Sequence, residues 1–164
     1  MRPESVTALL SRRRFALLPF AFGAVAWGAS PAVGAATLPA AESLAAELAA
    51  AVRAGKPLVV MASLEGCPFC RVARDSYLVP LLRETGQPVV QLDMGSRQAV
   101  RNFDGAPATH GDILRSWRVG VAPTVLFFGK GGRELASRLV GASIPDFYGA
   151  YLEERLRTAQ RNLP

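Results

Sequence analysis

Cysteine and histidine are scarce in this chain. Among 164 residues there are two cysteines, Cys67 and Cys70, and one histidine, His110. A structural zinc site takes four nitrogen or sulfur ligands, so the inventory argues against zinc held within one chain. A dense basic run is missing too. Arg97, Arg101, Arg115 and Arg118 come nearest to a cluster, and their scatter reads as a solvated surface rather than a nucleic-acid interface. No internal repeat is present. The one long apolar run, Phe15 to Ala29, carries a proline and two glycines and is short for a spanning helix.

That run is best understood with its flanks. Arg2, Arg12, Arg13 and Arg14 precede it, and the small-residue stretch "SPAVGAA" follows, with Val33 and Ala35 at cleavage-like positions. Basic, then apolar, then small is the pattern of a secretory signal peptide. Residues 1–35 are therefore expected to be a signal and 36–164 a single mature domain. The alternatives are an uncleaved membrane anchor and a mitochondrial presequence. "SRRRF", residues 11 to 15, resembles the twin-arginine export signal, so the route is Sec or twin-arginine. Either route ends in an oxidising, periplasmic space where disulfides persist. Of 19 basic and 13 acidic residues, four arginines and Glu4 lie before residue 36. This leaves 15 and 12, so the +6 of the whole chain falls to +3.

The rest alternates apolar runs with helical periodicity. Leu44, Leu48 and Val52 recur every four residues within Pro39–Pro57, an amphipathic helix ended by Gly55 and Pro57. Residues 58–64, 88–94 and 122–128 are short continuous apolar runs that predict buried strands. Residues 71–85 have helical spacing, with a kink expected at Pro80 because proline lacks an N–H. Residues 95–108 lack periodicity and read as a loop, either shaping a groove beside Cys67 or lying plainly on the surface. Thr109 and Asp112 predict a capped short helix, with Trp117 in the core. "GKGG" at 129–132 is a turn before a fourth strand, 133–141. Ser143 and Asp146 predict the start of a last helix with Phe147, Tyr151, Leu152, Leu156 and Ala159 on its apolar side. The expected fold class is α/β: a mixed four-stranded sheet with helices on both faces, strands joined through helices running parallel, and one antiparallel hairpin.

"LEGCPFCRVAR", residues 64–74, sits where the first strand ends and a helix begins. The first turn of a helix has unpaired N–H groups and a positive dipole end. A thiolate at Cys67 is expected to be stabilised there. Pro68 suits the first turn, where its missing N–H costs nothing. Cys70 lies about one turn along, so Cys67 is the expected exposed nucleophile and Cys70 the partly buried resolving thiol. A disulfide across so small a loop constrains the unfolded chain little, which favours exchange chemistry over a staple.

Three stretches carry a family resemblance. "LVVMASLEGCPFC", "VGVAPTVLFF" and "GKGGRELASRLVGA" resemble, in order, the active-site strand, the cis-proline segment and the terminal hairpin of thioredoxin. From about Val59 to Leu156 the chain is similar to exported bacterial thioredoxin-like proteins, including those encoded with sulfur-oxidation genes. The resemblance implies a thiol–disulfide oxidoreductase whose redox centre is the Cys67/Cys70 dithiol, with no metal and no organic cofactor. It places Pro123 in the cis-proline role and Ala122 before it, where the backbone can pair with an extended substrate segment; the bland alternative is an ordinary strand-start proline. Pro68 and Phe69 look closer to glutaredoxin and oxidase-type sites than to thioredoxin's Gly-Pro. The resemblance further implies exported protein substrates with disulfides, a membrane electron-donor protein as partner, no nucleic acid, and a monomer. The hairpin, and the lack of a large helical insertion, favour reduction over oxidation or isomerisation.

Two departures stand out. Gly66 occupies the place of thioredoxin's tryptophan, and Met61 the place of its buried carboxylate. That leaves the proton-handling role beside the resolving thiol unfilled or given to water, since Glu65 is expected to be too exposed. The rival reading is a binding module on the same fold: a chaperone, or a copper carrier using soft thiolates with Met61, Met94 or His110 as a further ligand. His110 itself is expected to be a surface or capping residue rather than a ligand.

Overall fold

The computed structural model describes residues 37–142 and 145–163. The expected signal segment and the Ser143 cap lie outside the described residues. Helix α1 is Leu44–Arg53. Its start is set by Ser43, whose hydroxyl accepts the Ala46 N–H at 3.3 Å, while Glu47 Oε1 accepts the backbone N–H of Ser43 (3.2 Å) and Glu42 (2.9 Å). Such reciprocal capping satisfies donors the first turn would otherwise leave open. Strand β1, Leu58–Ser63, is buried along its whole length, as a continuous apolar run should be.

The kink expected at Pro80 takes a particular form. Helix α2, Pro68–Ala73, passes into a π-helical turn at Arg74–Leu78, and α3, Val79–Thr85, restarts with Pro80 in its first turn. Widening the helix just before the proline puts its missing donor where no intrahelical bond is required. Gly86, in the left-handed region at φ 63°, stops α3. Strand β2, Val89–Asp93, follows.

The region 95–108 is not the structureless loop the sequence suggests. It holds a small hairpin, β3 (Ala99–Arg101) with β4 (Pro107–Thr109). Asn102 Oδ1 accepts the N–H groups of Asp104 and Ala106 and so builds the turn locally. Phe103 anchors it, its ring 5.6 Å from that of Trp117 and 4.9 Å from Phe128. Three residues per strand are too few to show an alternating pattern. Helix α4, His110–Ser116, is capped by Thr109 as expected. Strand β5 is Thr124–Gly129. The single strand expected over 133–141 is two short pieces, β6 (Arg133–Glu134) and β7 (Leu139–Val140), because Leu135 turns into the core between them. Helix α5, Pro145–Arg161, closes the chain.

The main sheet runs β2-β1-β5-β6, with β7 also on β5. β1 and β2 are parallel, but β5 is antiparallel to β1, not parallel as its helical connection suggested. The long segment after β2 returns the chain to the end of the sheet it had left. Consequently the residues after β1 and those before β5 share one end, with Ala62 opposite Thr124. This reversal brings Cys67 and Pro123 together. Residues 39–41 lie along the outer edge of β2, Gln91 N–H donating to Pro39 O and Ala41 N–H to Gln91 O, which covers an otherwise open edge.

Two apolar layers sandwich the sheet. On one face Val60, Ala62, Leu92, Leu126 and Phe128 pack under α1 and α4. On the other, Val59, Met61, Val89, Val125 and Phe127 pack under α2, α3 and α5, with Cys70, Ala73, Leu78, Tyr148 and Leu152.

Candidate active site

The site begins where β1 ends. Leu64–Cys67 form a tight turn, closed by the Cys67 N–H donating to Leu64 O at 3.2 Å. Gly66, at φ 74°, takes the third position, which demands a positive φ. A side chain there, such as thioredoxin's tryptophan, would need a different turn. Cys67 is the N-cap of α2, with extended backbone, and Pro68 stands in the first helical turn. Cys67 Sγ accepts the Cys70 N–H at 3.1 Å and lies 4.0 Å from the carbonyl oxygen of Ala122. The Ala122–Pro123 peptide bond is cis. Phe69 points to solvent, 56% exposed.

The two thiols are free and unlike. Cys67 is half-buried, whereas Cys70 is 1% exposed. Burial pushes the Cys70 thiol from 9.0 to about 11, helped by the neighbouring Cys67 side chain, while the Leu64 backbone and the Ser63 side chain pull the other way. At neutral pH Cys70 is therefore a thiol, and Cys67 is the more accessible sulfur of the two.

Around Cys70 the wall is mostly apolar. Met61 is fully buried at the foot of the site. Tyr148, from α5, is 3% exposed, and its hydroxyl has no hydrogen-bond partner among the described residues. Burial holds that phenol well above its ordinary range, with smaller contributions from Cys70 and Tyr77, so it stays protonated. Its ring packs at 5.0 Å from Tyr77.

On the β2 side of Cys67 opens a polar groove of about 630 Å³. Ser63, Glu65, Arg71, Arg74, Gln91 and Asp93 are among its lining residues, with Met94, Gly95 and Ser96. A polar chain runs along the wall. Arg74 pairs with Asp75 at 3.1 Å and donates to Gln91 Oε1 at 3.4 Å; Gln91 Nε2 donates to Asp93 Oδ1 at 2.7 Å. Gly95 and Ser96 are the part of the 95–108 segment that shapes this groove, and the hairpin beyond them packs against the other face.

The structure brings Cys67, Pro68, Cys70, Ala122 and Pro123 to one end of the sheet, with Phe69 at its rim. It corrects the expectation for His110, which is neither at the surface nor merely at a cap. His110 is fully buried: Nε2 donates to Ala41 O at 2.9 Å and Nδ1 accepts the Asp93 N–H at 3.2 Å. Both nitrogens are spent joining α4 to β2 and to the segment before α1. Sequence reasoning passed over Ser63, Gln91 and Asp93. The signal was available, since each is a polar residue in the C-terminal half of an apolar strand, the end where open α/β sheets place their clefts.

No family model matches this chain, and no curated protein does. Solved structures do. DsbH oxidoreductase superposes with a TM-score of 0.51 at 18% identity, over 77% of this chain and 88% of that one. A thioredoxin from Thermus thermophilus gives 0.49 at 23% identity, over 74% and 86%. Thioredoxin O2 from Arabidopsis thaliana, in its oxidised state, gives 0.46 at 16%, over 70% and 93%. Identities this low speak for architecture alone, and with the strand order and register above, the chain has the thioredoxin fold.

Proposed function

We propose that this protein is a thiol–disulfide oxidoreductase that cycles Cys67 and Cys70 between dithiol and disulfide, and that it works as a reductase of exported proteins in the periplasm. The asymmetry of the two thiols carries the reading: a half-buried sulfur capping a helix, 4.0 Å from a backbone carbonyl, beside a second thiol sealed in the core. Cys67 attacks a substrate disulfide, forming a mixed disulfide and releasing one substrate thiol. Cys70 then attacks Cys67 Sγ and releases the other. The Ala122 backbone aligns the substrate segment by strand-like pairing.

The surroundings favour a polypeptide substrate. Phe69, Val121 and Val140 are each about half exposed. All three are tied by backbone to the site, Val140 through its pairing with Thr124 and the bond from Gly141 N–H to Pro123 O. Exposed apolar side chains around a reactive group suit an unfolded or extended chain. A periplasmic reductase has no soluble nicotinamide supply, so a membrane electron donor re-reduces the pair. Among the described residues no helix is long and apolar enough to cross a membrane.

Cys67→Ser should abolish disulfide reduction, and Cys70→Ser should accumulate the mixed disulfide; turnover retained in Cys67→Ser would sink the proposal. Equilibration with glutathione or dithiothreitol fixes the direction. A potential near about −270 mV marks a reductase, and one near about −120 mV an oxidant. The copper-carrier alternative loses two of its candidate ligands here. Met61 is sealed in the core and both nitrogens of His110 are engaged. Met94 still lines the groove with Cys67, so stoichiometric Cu(I) binding without turnover is the result that would revive it.

A further inference from the structure

The resolving step has a proton to dispose of. Cys70 must lose it on attacking Cys67, yet Cys70 is sealed from solvent, and Met61 fills the place where a carboxylate could receive it. The structure offers another exit. Ser63, the last residue of β1, is 2% exposed and belongs to the same sheet face as Val59 and Met61, four and two residues earlier. It faces the layer that holds Cys70, and its side chain pulls that thiol downward against the effect of burial. It also lines the polar groove on the β2 side, where Asp93 is its register partner. Ser63 therefore stands between the layer of the buried thiol and an open groove with a carboxylate on its wall.

We propose that Ser63 is the positioning residue of the resolving half-reaction, its hydroxyl carrying the Cys70 proton out of the core into the groove beside Asp93. The idea rests on the dithiol cycle above. As Cys70 Sγ bonds to Cys67 Sγ, the bond between Cys67 and the substrate sulfur breaks, and its electron pair leaves on the substrate. Ser63 Oγ takes the Cys70 proton while its own proton passes to groove water. The substrate thiolate regains a proton from solvent. Across the cycle two electrons move from the dithiol to the substrate disulfide, and no further reductant enters this step. A hydroxyl suits the task because it donates and accepts at once. The groups facing Cys70 are Cys67 on α2, Ser63 and the Leu64 backbone on the β1 end, and the protonated Tyr148 on α5. Glu65, Arg71, Arg74 and Asp93 stand in the groove beyond Ser63.

The test uses Ser63→Ala, with Ser63→Gly as a second variant lacking the hydroxyl and Ser63→Thr as the one retaining it. In a Cys67→Ser background, thiolate absorbance reports the titration of Cys70 without any turnover. Its midpoint should rise by about one unit in Ser63→Ala, the tenfold expected on losing a hydrogen bond to a charged group, and return in Ser63→Thr. With Cys67 present, single-turnover resolution of a trapped mixed disulfide should slow about tenfold at neutral pH. Its pH profile should move upward, while the alkylation rate of Cys67 stays unchanged. An unmoved Cys70 midpoint in the variants that lack the hydroxyl overturns the role of Ser63. Failure of the wild-type protein to form a mixed disulfide overturns the dithiol cycle instead, and the two failures are read in separate experiments.

Discussion

The two faces of the sheet treat buried polar groups in opposite ways. Under α1 and α4 lies one buried ring with polar atoms, His110, and both of its nitrogens are bonded to backbone. Under α2, α3 and α5 lie Cys70, whose thiol is pushed up by burial, and Tyr148, whose hydroxyl is unpartnered among the described residues. A satisfied polar group in a low-dielectric interior stiffens a fold; an incompletely satisfied one is costly and has a protonation state that its neighbours can tune. The first face is a scaffold. The second is where a proton can be moved, and the site opens onto that second face.

Breaking the scaffold face should give the largest effect. Phe128→Ala removes a ring that packs on both Phe103 and Trp117. It should cost about 3–5 kcal/mol, read by chemical denaturation, with the activity of the folded fraction unchanged. His110→Ala strands the Asp93 N–H and the Ala41 carbonyl inside. A loss of about 2–4 kcal/mol is expected from two unpaired buried groups, together with faster hydrogen exchange at Asp93.

Smaller effects sharpen the other face. The folded Cys70 thiol titrates at about 11, above its ordinary 9.0. An acid whose folded pKa is raised stabilises the fold while it stays neutral, so this contribution is present below pH 9 and is lost as pH climbs toward 11. Two units correspond to about 2–3 kcal/mol at most. Denaturation of the reduced protein between these pH values should show the decline, and Cys70→Ala should flatten it. Tyr148→Phe should have the smallest effect and the opposite sign. Removing a hydroxyl with no partner should leave stability unchanged or raise it by up to about 1 kcal/mol, a few degrees in Tm for a domain this size. A large destabilisation would mean that Tyr148 has a partner in solution.

Legibility followed the range of the interaction. The helix over Leu44–Arg53, the strand ending at Ser63 and the cap at Thr109 each depend on residues within a few positions of one another, and each was readable. The hairpin at 99–109 was not. Its strands are three residues long, and what holds it is Phe103 against Trp117 and Phe128. His110 was misjudged for the same reason. Its neighbours Thr109 and Asp112 look like surface, but its partners are Ala41 and Asp93.

From the sequence alone came the cysteine pair and its setting: two cysteines one helical turn apart, a proline suited to the first turn, and a buried strand leading in. Those features are local, because capping and helix entry are decided within one turn of chain. The tertiary structure decided the rest. The reversal of β5 put Ala122 within 4.0 Å of Cys67. Packing under α2 and α5 sealed Cys70 while leaving Cys67 half open. The pairing of β1 with β2 set Ser63 beside Asp93 at the edge of a groove. Burial and long-range pairing depend on which distant segments meet, and no window of sequence contains that information.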